Sequence, residues 1–311
     1  MKPIDIIFDT DVGSDCDDMM ALAYLIYAQR KGYCNVKAVT HCQCTPYGIP
    51  AIRAFFRFFG ENIPLIGRMQ GGVILKDRYA EKVAKAFACE DDYNEAPDAV
   101  SVIRKALAEC KDKCIICAVG QFTNIAQLLE SKGDEISPLD GIALVKEKCE
   151  KMVLMAGKFR EDEHGVYGAD WNIRCDVPSA KIMFELSPVP FVILPSETGK
   201  FMISGKSACD KYGDTNPLTK SFFEFLDARN GRHSWDPATA VYCCEGVKEF
   251  LNESEKGTVT MTNEGVTYFK PDENGNCTVL TNKTEGITEE ESKSRMARYI
   301  DACAEEVLNN V

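Results

Sequence analysis

Five aspartates stand within ten residues just after a short apolar run near the N-terminus, and this segment limits the possible fold more than any other. The apolar run is Ile4–Phe8, and an apolar-periodic stretch, Met19–Tyr27, follows the acidic residues at once. Like charges this close repel one another, and a hard cation with oxygen ligands would offset the repulsion. The segment therefore predicts a β-strand, an acidic metal-binding turn and a helix. The five carboxylates are Asp9, Asp11, Asp15, Asp17 and Asp18.

Other metal-site and capping patterns explain the chain less well. Capping at a helix N-terminus accounts for the last two of the five aspartates only. An EF-hand loop is excluded, because Gly13 falls at its fifth position and Met20 at its twelfth. Cys42 and Cys44 share a strand face beside His41, but no second ligand pair follows at the spacing of a zinc site. The remaining cysteines are expected to be reduced thiols that pack as small hydrophobic groups.

The first two thirds of the chain alternate short apolar runs with amphipathic segments. Continuously apolar strands separated by helices predict an α/β fold, with a mostly parallel central sheet covered by helices on both faces. Ligands in such sheets bind beyond the carboxyl ends of the strands, where the acidic segment lies. The predicted strands are Ile4–Phe8, Val36–Thr40, Ile63–Ile66, Cys114–Val119, Met152–Met155 and Phe191–Leu194. The predicted helices of this part include Asp17–Lys31, Ile49–Phe59, Ala99–Cys110 and Thr123–Ser131.

After about residue 217 the pattern changes. Two helical stretches, Leu218–Arg229 and Pro237–Cys244, precede three short alternating runs that are separated by turn signals. These runs predict a small antiparallel β-hairpin or three-stranded piece within residues 256–285, and a last helix, Glu289–Leu308, follows. We expect residues 1–311 to form one domain that carries this embellishment, because no linker or repeat divides the chain.

Charge and hydropathy narrow the classes of partner. The net charge is −12 and no basic cluster occurs, which argues against binding to nucleic acid or to an anionic membrane surface. The N-terminal apolar run is too short for a signal peptide, and no stretch approaches the length of a transmembrane helix. These features predict a cytosolic protein.

Four ordered segments make the chain resemble the inosine–uridine-type nucleoside hydrolases. DTDVGSDCDDMMAL resembles the family's D-T-D-P-G-x-D-D-A motif, with Val12 for proline and two extra residues before the Asp pair. Residues 119–129, VGQFTNIAQLL, resemble its G-P-L-T-N-x-A segment. Residues 168–180, GADWNIRCDVPSA, resemble its A-E-F-N-x-x-x-D-P-x-A segment, and residues 234–241, SWDPATAV, its H-D-P-x-A segment.

The resemblance implies a nucleoside hydrolase-like, Rossmann-type fold and a calcium centre. By this match Asp11 binds Ca²⁺ and deprotonates the attacking water, and Asp18 is a second ligand. The carbonyl of Thr123 and the side chain of Asp236 complete the protein ligands. Asp17 matches the residue that holds the ribose hydroxyls. Asp170, in place of the family's glutamate, and Asn172 match residues that contact the sugar.

The chain also departs from the family on the side of the leaving base. Trp235 stands where the family often has a histidine that donates a proton, and tryptophan can stack on a base but cannot protonate it. His233 lies three positions before Asp236, and the match leaves open whether it substitutes for this histidine. His164 falls where the family usually has a sugar-binding asparagine. Base recognition is therefore expected to differ.

The leading hypothesis is a calcium-dependent hydrolase that cleaves a nucleoside or related N-riboside into ribose and free base. Carboxylates around the sugar ring can stabilise the positive charge of the oxocarbenium-like transition state of this reaction. Two alternatives stay open. One is a non-catalytic, calcium-dependent nucleoside- or sugar-binding protein. The other is a haloacid dehalogenase-type phosphatase with Asp9 as nucleophile, although its distant acidic pair is missing. The resemblance further implies a homodimer or homotetramer.

Overall fold

The predicted parallel sheet is present in the computed structural model, which describes residues 2–162, 164–226 and 228–310. Within these residues ten strands form one sheet, in the order β11-β10-β12-β6-β5-β4-β1-β2-β3, with β9 paired to β12. Two further strands, β7 and β8, pair with each other. The strands are β1 Ile4–Thr10, β2 Cys34–His41, β3 Leu65–Arg68, β4 Cys114–Ala118, β5 Cys149–Met155, β6 Phe191–Leu194, β7 Ile203–Ser204, β8 Arg232–His233, β9 Leu251–Glu253, β10 Gly257–Met261, β11 Thr267–Pro271 and β12 Cys277–Asn282.

Helices cover both faces of the sheet. They are α1 Asp17–Arg30, α2 Gly48–Phe58, α3 Ala80–Phe87, α4 Ala99–Glu109, α5 Thr123–Glu130, α6 Gly141–Lys148, α7 Trp171–Cys175, α8 Val177–Leu186, α9 Ser196–Gly199, α10 Lys206–Tyr212, α11 Pro217–Glu224, α12 Trp235–Glu245 and α13 Glu289–Leu308. Short 3₁₀ turns lie at Glu90–Tyr93 and Ala228–Asn230. None of the helices in the described part of the chain is both long and apolar enough to cross a bilayer.

The central strand β1 is buried on both faces of the sheet, which explains why its sequence is apolar on both sides. Ile6 and Phe8 pack into the hydrophobic core on one face of the sheet, and Ile7 packs into the core on the other face. β1 pairs in parallel with β2 and with β4, so its backbone is bonded on both edges. An apolar side chain at each successive position is what a strand buried in this way requires.

The predicted β-piece at the end of the chain is confirmed as strands, but it extends the main sheet. β12 pairs in parallel with β6, and β10 and β11 continue outward as an antiparallel ribbon. This arrangement bonds the edge of β6 that would otherwise present unpaired backbone groups.

Most predicted boundaries agree with the structure to within a few residues, and two departures have clear causes. The strand predicted at Ile63–Ile66 begins at Leu65, after Pro64, which has no backbone N–H to give to a sheet. The helix predicted at Leu218–Arg229 ends at Glu224. Beyond it, Leu226 takes a φ of 44°, which an α-helix cannot contain.

Candidate active site

A cavity of about 460 Å³ opens beyond the carboxyl ends of β1, β4 and β5. Asp11 follows β1, Val119 follows β4, and Met155 is the last residue of β5, and all three line the cavity. The first turn of α1 contributes Asp17, and the first turn of α12 contributes Trp235 and Asp236. The sheet and two helix N-termini therefore bring residues from distant parts of the sequence to one site, as expected for a fold of this class.

Three buried carboxylates form the centre of the site. Oxygen atoms of Asp17, Asp18 and Asp236 all lie within 4.8 Å of one another. Oδ2 of Asp17 accepts hydrogen bonds from the backbone N–H groups of Trp235, at 3.0 Å, and Asp236, at 3.2 Å. This carboxylate therefore links the first turns of α1 and α12. Burial, and then the neighbouring negative charges, raise the pKa values of all three carboxyl groups well above their usual range.

The three carboxylates fit a hard cation. Oδ1 of Asp18 accepts hydrogen bonds from the hydroxyl of Thr10 and from the backbone N–H of Asp11. Oδ2 of Asp18 is buried and has no hydrogen-bond partner among the described residues. A buried oxygen that faces other carboxylates and lacks a donor is costly unless a cation binds it. An all-oxygen donor set of this kind suits Ca²⁺.

Asp11 faces the same cavity but lies outside this group of three. Its Oδ2 accepts a hydrogen bond of 2.9 Å from Nε2 of Gln121, and its carbonyl accepts one of 2.6 Å from Nε2 of Gln43. Burial raises the pKa of Asp11. Sequence reasoning missed both glutamines. Gln121 could have been found, because it replaces the proline of the G-P-L-T-N segment that VGQFTN resembles.

Asp9 is fully buried and does not line the cavity. Its Oδ1 accepts hydrogen bonds from Thr40, at 2.5 Å, and Asn124, at 2.7 Å. Burial raises the pKa of Asp9 to about 7. A carboxyl group enclosed in this way supports the turn. Because it cannot reach a phosphate ester in the cavity, the geometry argues against the phosphatase alternative.

Asp15, the extra carboxylate of the acidic segment, pairs with Arg232. Nε of Arg232 donates to both oxygens of Asp15, at 2.9 and 3.1 Å, and Nη2 also bonds Oδ2. The guanidinium lies 5.2 Å from the ring centres of both Phe225 and Trp235. Asp15 therefore neutralises a cation at the cavity wall.

Besides Asp17, two further candidates for substrate binding, Asn172 and Trp235, line the cavity and hold fixed positions there. Nδ2 of Asn172 donates to the carbonyls of Val119, at 2.7 Å, and Met155, at 3.1 Å. Nε1 of Trp235 donates to the carbonyl of Ser196 at 2.7 Å, so its ring is fixed at the cavity wall.

The other predicted residues do not line the cavity. Asp170 accepts hydrogen bonds from Gly157 and from the first turn of α7, and burial raises its pKa to about 6. Thr123 is buried at the start of α5, and its hydroxyl donates to Asp176. His164 lies in an exposed loop, and His233 accepts a hydrogen bond from the backbone of Phe201. Cys42, Cys44 and His41 do not form a metal-binding group in the part of the chain that is described.

Comparison with protein families gives one match over nearly the whole chain. The family model described as inosine-uridine preferring nucleoside hydrolase matches residues 6–304. Among curated proteins no sequence matches the chain.

Solved structures of similar fold include two hydrolases and one effector protein. The inosine-uridine preferring nucleoside hydrolase from Bacillus anthracis is 17% identical, with a TM-score of 0.69, over 98% of this chain and 100% of that one. The purine-preferring ribonucleoside hydrolase from Gardnerella vaginalis is 14% identical, with a TM-score of 0.67, over 97% and 99%. The type III effector protein XopQ, complexed with adenosine diphosphate ribose, is 17% identical, with a TM-score of 0.66, over 99% and 94%. At these identities the structures share the fold.

Proposed function

Because the chain belongs to the inosine-uridine preferring nucleoside hydrolase family of N-glycosyl hydrolases, we propose that it cleaves a ribonucleoside or related N-riboside to ribose and free base with the help of Ca²⁺. The observation that carries the proposal is the buried group of Asp17, Asp18 and Asp236 beside Asp11, at one end of a single cavity. A binding site for a neutral sugar alone would have no use for so many desolvated carboxylates.

Asp18 and Asp236 would hold the ion, together with Asp11 and the carbonyl of Thr123. When bound, Ca²⁺ supplies a positive charge that offsets the carboxylate repulsion and makes a neighbouring water more acidic. Asp17 is close enough to bind the ion as well. Its Oδ2 already accepts two backbone hydrogen bonds, which leaves Oδ1 to accept hydrogen bonds from ribose hydroxyls.

In this proposal Asp11 would act as the general base. Gln121 donates to its Oδ2 and so orients the carboxylate that would accept a proton from the attacking water. A carboxylate beside the attacking water can take its proton as general base, which is the role that the match to the family gives Asp11.

The other carboxylates stabilise the sugar as positive charge develops on it. Carboxylates held in a dry cavity stabilise an oxocarbenium-like transition state strongly, because they need no reorganisation when the charge appears. Asn172 and Trp235 would contact the substrate directly, since both line the cavity. Asp170 would act on the sugar through the start of α7, which carries Asn172, and His164 would contact substrate from its loop.

The test is to incubate the protein with Ca²⁺ and a panel of purine and pyrimidine nucleosides and to measure ribose release. We expect release that falls at least about a hundredfold in Asp11→Asn, as for loss of a general base. Asp210→Asn, an exposed carboxylate on α10, serves as the control. No release of sugar from any nucleoside or anionic N-riboside, with calcium bound, would refute hydrolysis.

The non-catalytic alternative keeps one supporting observation. Trp235 takes the place of the family's proton donor and is fixed by a hydrogen bond to Ser196. Calorimetry that shows nucleoside binding without ribose release would favour this alternative. The expected homodimer or homotetramer and the cytosolic location stay predictions, and light scattering tests the first.

A further inference from the structure

The cavity has a basic wall that the proposed hydrolysis of a neutral nucleoside does not use. Lys76, Arg78 and Arg232 line the cavity together with the carboxylates. Arg232 is neutralised by Asp15 in a bidentate ion pair. Lys76 and Arg78 have no ion-pair or hydrogen-bond partner for their side chains among the described residues. The basic wall thus carries an excess of positive charge at one side of the cavity.

Arg78 is the best placed of these cations. Its side chain is half-buried, and its guanidinium lies 5.8 Å from the ring centre of Phe225, the ring that Arg232 also contacts. Its backbone N–H donates to the carbonyl of Gly13 at 2.8 Å, which fixes the segment against the acidic turn. A guanidinium stacked on a buried ring is oriented but keeps its N–H groups available.

The nearest carboxylate in sequence does not pair with Arg78. The two oxygens of Asp77 accept hydrogen bonds from the backbone of Tyr79, Ala80 and Glu81, at 2.7 to 3.0 Å. Asp77 therefore caps α3. The N–H groups of the Arg78 side chain are therefore available to a ligand in the cavity.

We propose that the substrate carries an anionic group, a phosphate or a carboxylate, which binds Arg78 at the basic wall. This inference rests on the proposed function, because it concerns the same cavity. Planar guanidinium groups bind both anions through paired hydrogen bonds. The acidic end would hold the ribose while the basic wall holds the anion, so the charges of the two ends fix the direction in which the substrate enters.

Binding can be measured without relying on turnover. The two tryptophans of the chain, Trp171 and Trp235, both line the cavity, so their fluorescence reports ligand binding within the first seconds after mixing. The three probes are uridine, uridine 5′-monophosphate and orotidine, which share one ring system. The second adds a phosphate to the sugar and the third adds a carboxylate to the base.

We expect the protein to bind at least one anionic probe about tenfold or more tightly than uridine, as for a charge-assisted hydrogen bond. A preference for the monophosphate locates the anion on the sugar, and a preference for orotidine locates it on the base. In Arg78→Gln the ratio of the dissociation constant of uridine to that of the preferred anionic probe should fall about tenfold, toward one. Arg78→Lys should keep part of the preference, and Arg295→Gln, on the exposed face of α13, should keep all of it.

Equal binding of all three probes would overturn the inference, and so would a preference that survives Arg78→Gln. The second outcome would mean that the phosphate binds elsewhere, for example at the carboxylates through calcium. The preference should also weaken as salt is added, because the anion subsite is partly exposed. Failure of the proposed function would appear separately, as probes that bind but release neither ribose nor ribose 5-phosphate.

Discussion

At the scale of single residues, buried charges in this protein have two kinds of environment. Arg104 is 1% exposed, and each of the three nitrogen atoms of its guanidinium group donates at least one hydrogen bond within the chain. Its Nε and Nη2 bond the two oxygens of Asp134, each at 2.9 Å. The carboxylates of Asp17, Asp18 and Asp236 instead face one another. The first arrangement is complete within the chain, and the second requires an ion from solution.

Replacing Arg104 should therefore destabilise the fold strongly. Arg104→Ala leaves the carbonyls of Ser137 and Leu139 without their donor, and we expect a loss of about 3–5 kcal/mol in the free energy of unfolding. Urea denaturation measures it. Lys105→Ala, an exposed neighbour on α4, is the control and should change stability by less than about 0.5 kcal/mol. A loss as small as the control's would contradict this account.

Asp301 should make stability depend on pH. It is half-buried on α13, its Oδ1 accepts a hydrogen bond of 2.6 Å from Gly205, and burial raises its pKa to about 6. The folded protein therefore holds this proton more tightly than the unfolded chain does. The stabilisation is complete below the ordinary pKa of 3.8 and is lost as the pH rises through about 6.

Asp301→Asn removes this titration. Compared with the unchanged protein, the variant should be relatively more stable at pH 7 than at pH 4, as judged by urea midpoints at both values. Asp210→Asn on α10, whose carboxylate is exposed, provides the comparison. A difference between variant and parent that is the same at both pH values would rule the explanation out.

At the scale of elements, the site depends on how closely α2 packs against β2. A Cβ at Gly48, the first residue of α2, would stand 2.1 Å from the His41 ring. Nε2 of His41 lies 2.9 Å from the carbonyl of Val12 in the acidic turn. The helix start therefore has to be glycine for the histidine to support the turn.

Gly48→Ala should lower stability even though alanine favours helices. We expect a loss of roughly 1–3 kcal/mol from the steric conflict, together with weaker calcium binding as the turn shifts. Thermal unfolding and calcium titration measure the two effects. At Gly168 an added Cβ would meet nothing closer than 3.7 Å, so Gly168→Ala should change neither. Unchanged calcium affinity in Gly48→Ala would show that His41 does not support the acidic turn.

The sequence predicts helices and strands better than it predicts the tertiary contacts between them. The strand Phe191–Leu194 and the helix Glu289–Leu308 are found with the predicted bounds, because apolar periodicity is a local property. The carboxylate end of the site is likewise readable from motifs. The ion pair between Asp15 and Arg232 joins residues 217 positions apart, and no local sequence pattern predicts it. Arg78 and Phe225 were missed for the same reason, since loops at the cavity lack periodicity.

At the scale of the whole molecule, the proposed calcium site should stabilise the fold as well as support catalysis. The ion would bind the folded chain, in which Asp18 and Asp236 are neighbours, far better than the unfolded chain, in which they are distant. An ion at a hundred times its dissociation constant then adds about 2.7 kcal/mol to stability.

We therefore expect calcium to raise the unfolding temperature and a chelator to lower it. Scanning calorimetry at several calcium concentrations measures the effect. In Asp236→Asn the response should largely disappear, while Asp210→Asn should respond like the parent. A rise of equal size in Asp236→Asn would show that calcium acts somewhere else.

The link between α1 and α12 also has a consequence for synthesis of the chain. Asp17 and Asp236 lie 219 positions apart, so at about 5–20 residues per second the ribosome makes the second roughly 10–40 s after the first. During that interval the nascent chain displays an acidic turn whose partners do not yet exist. Chains stalled at increasing lengths should gain calcium-dependent resistance to protease only once α12 has left the exit tunnel. Protection of shorter chains would mean that the N-terminal carboxylates bind the ion without α12.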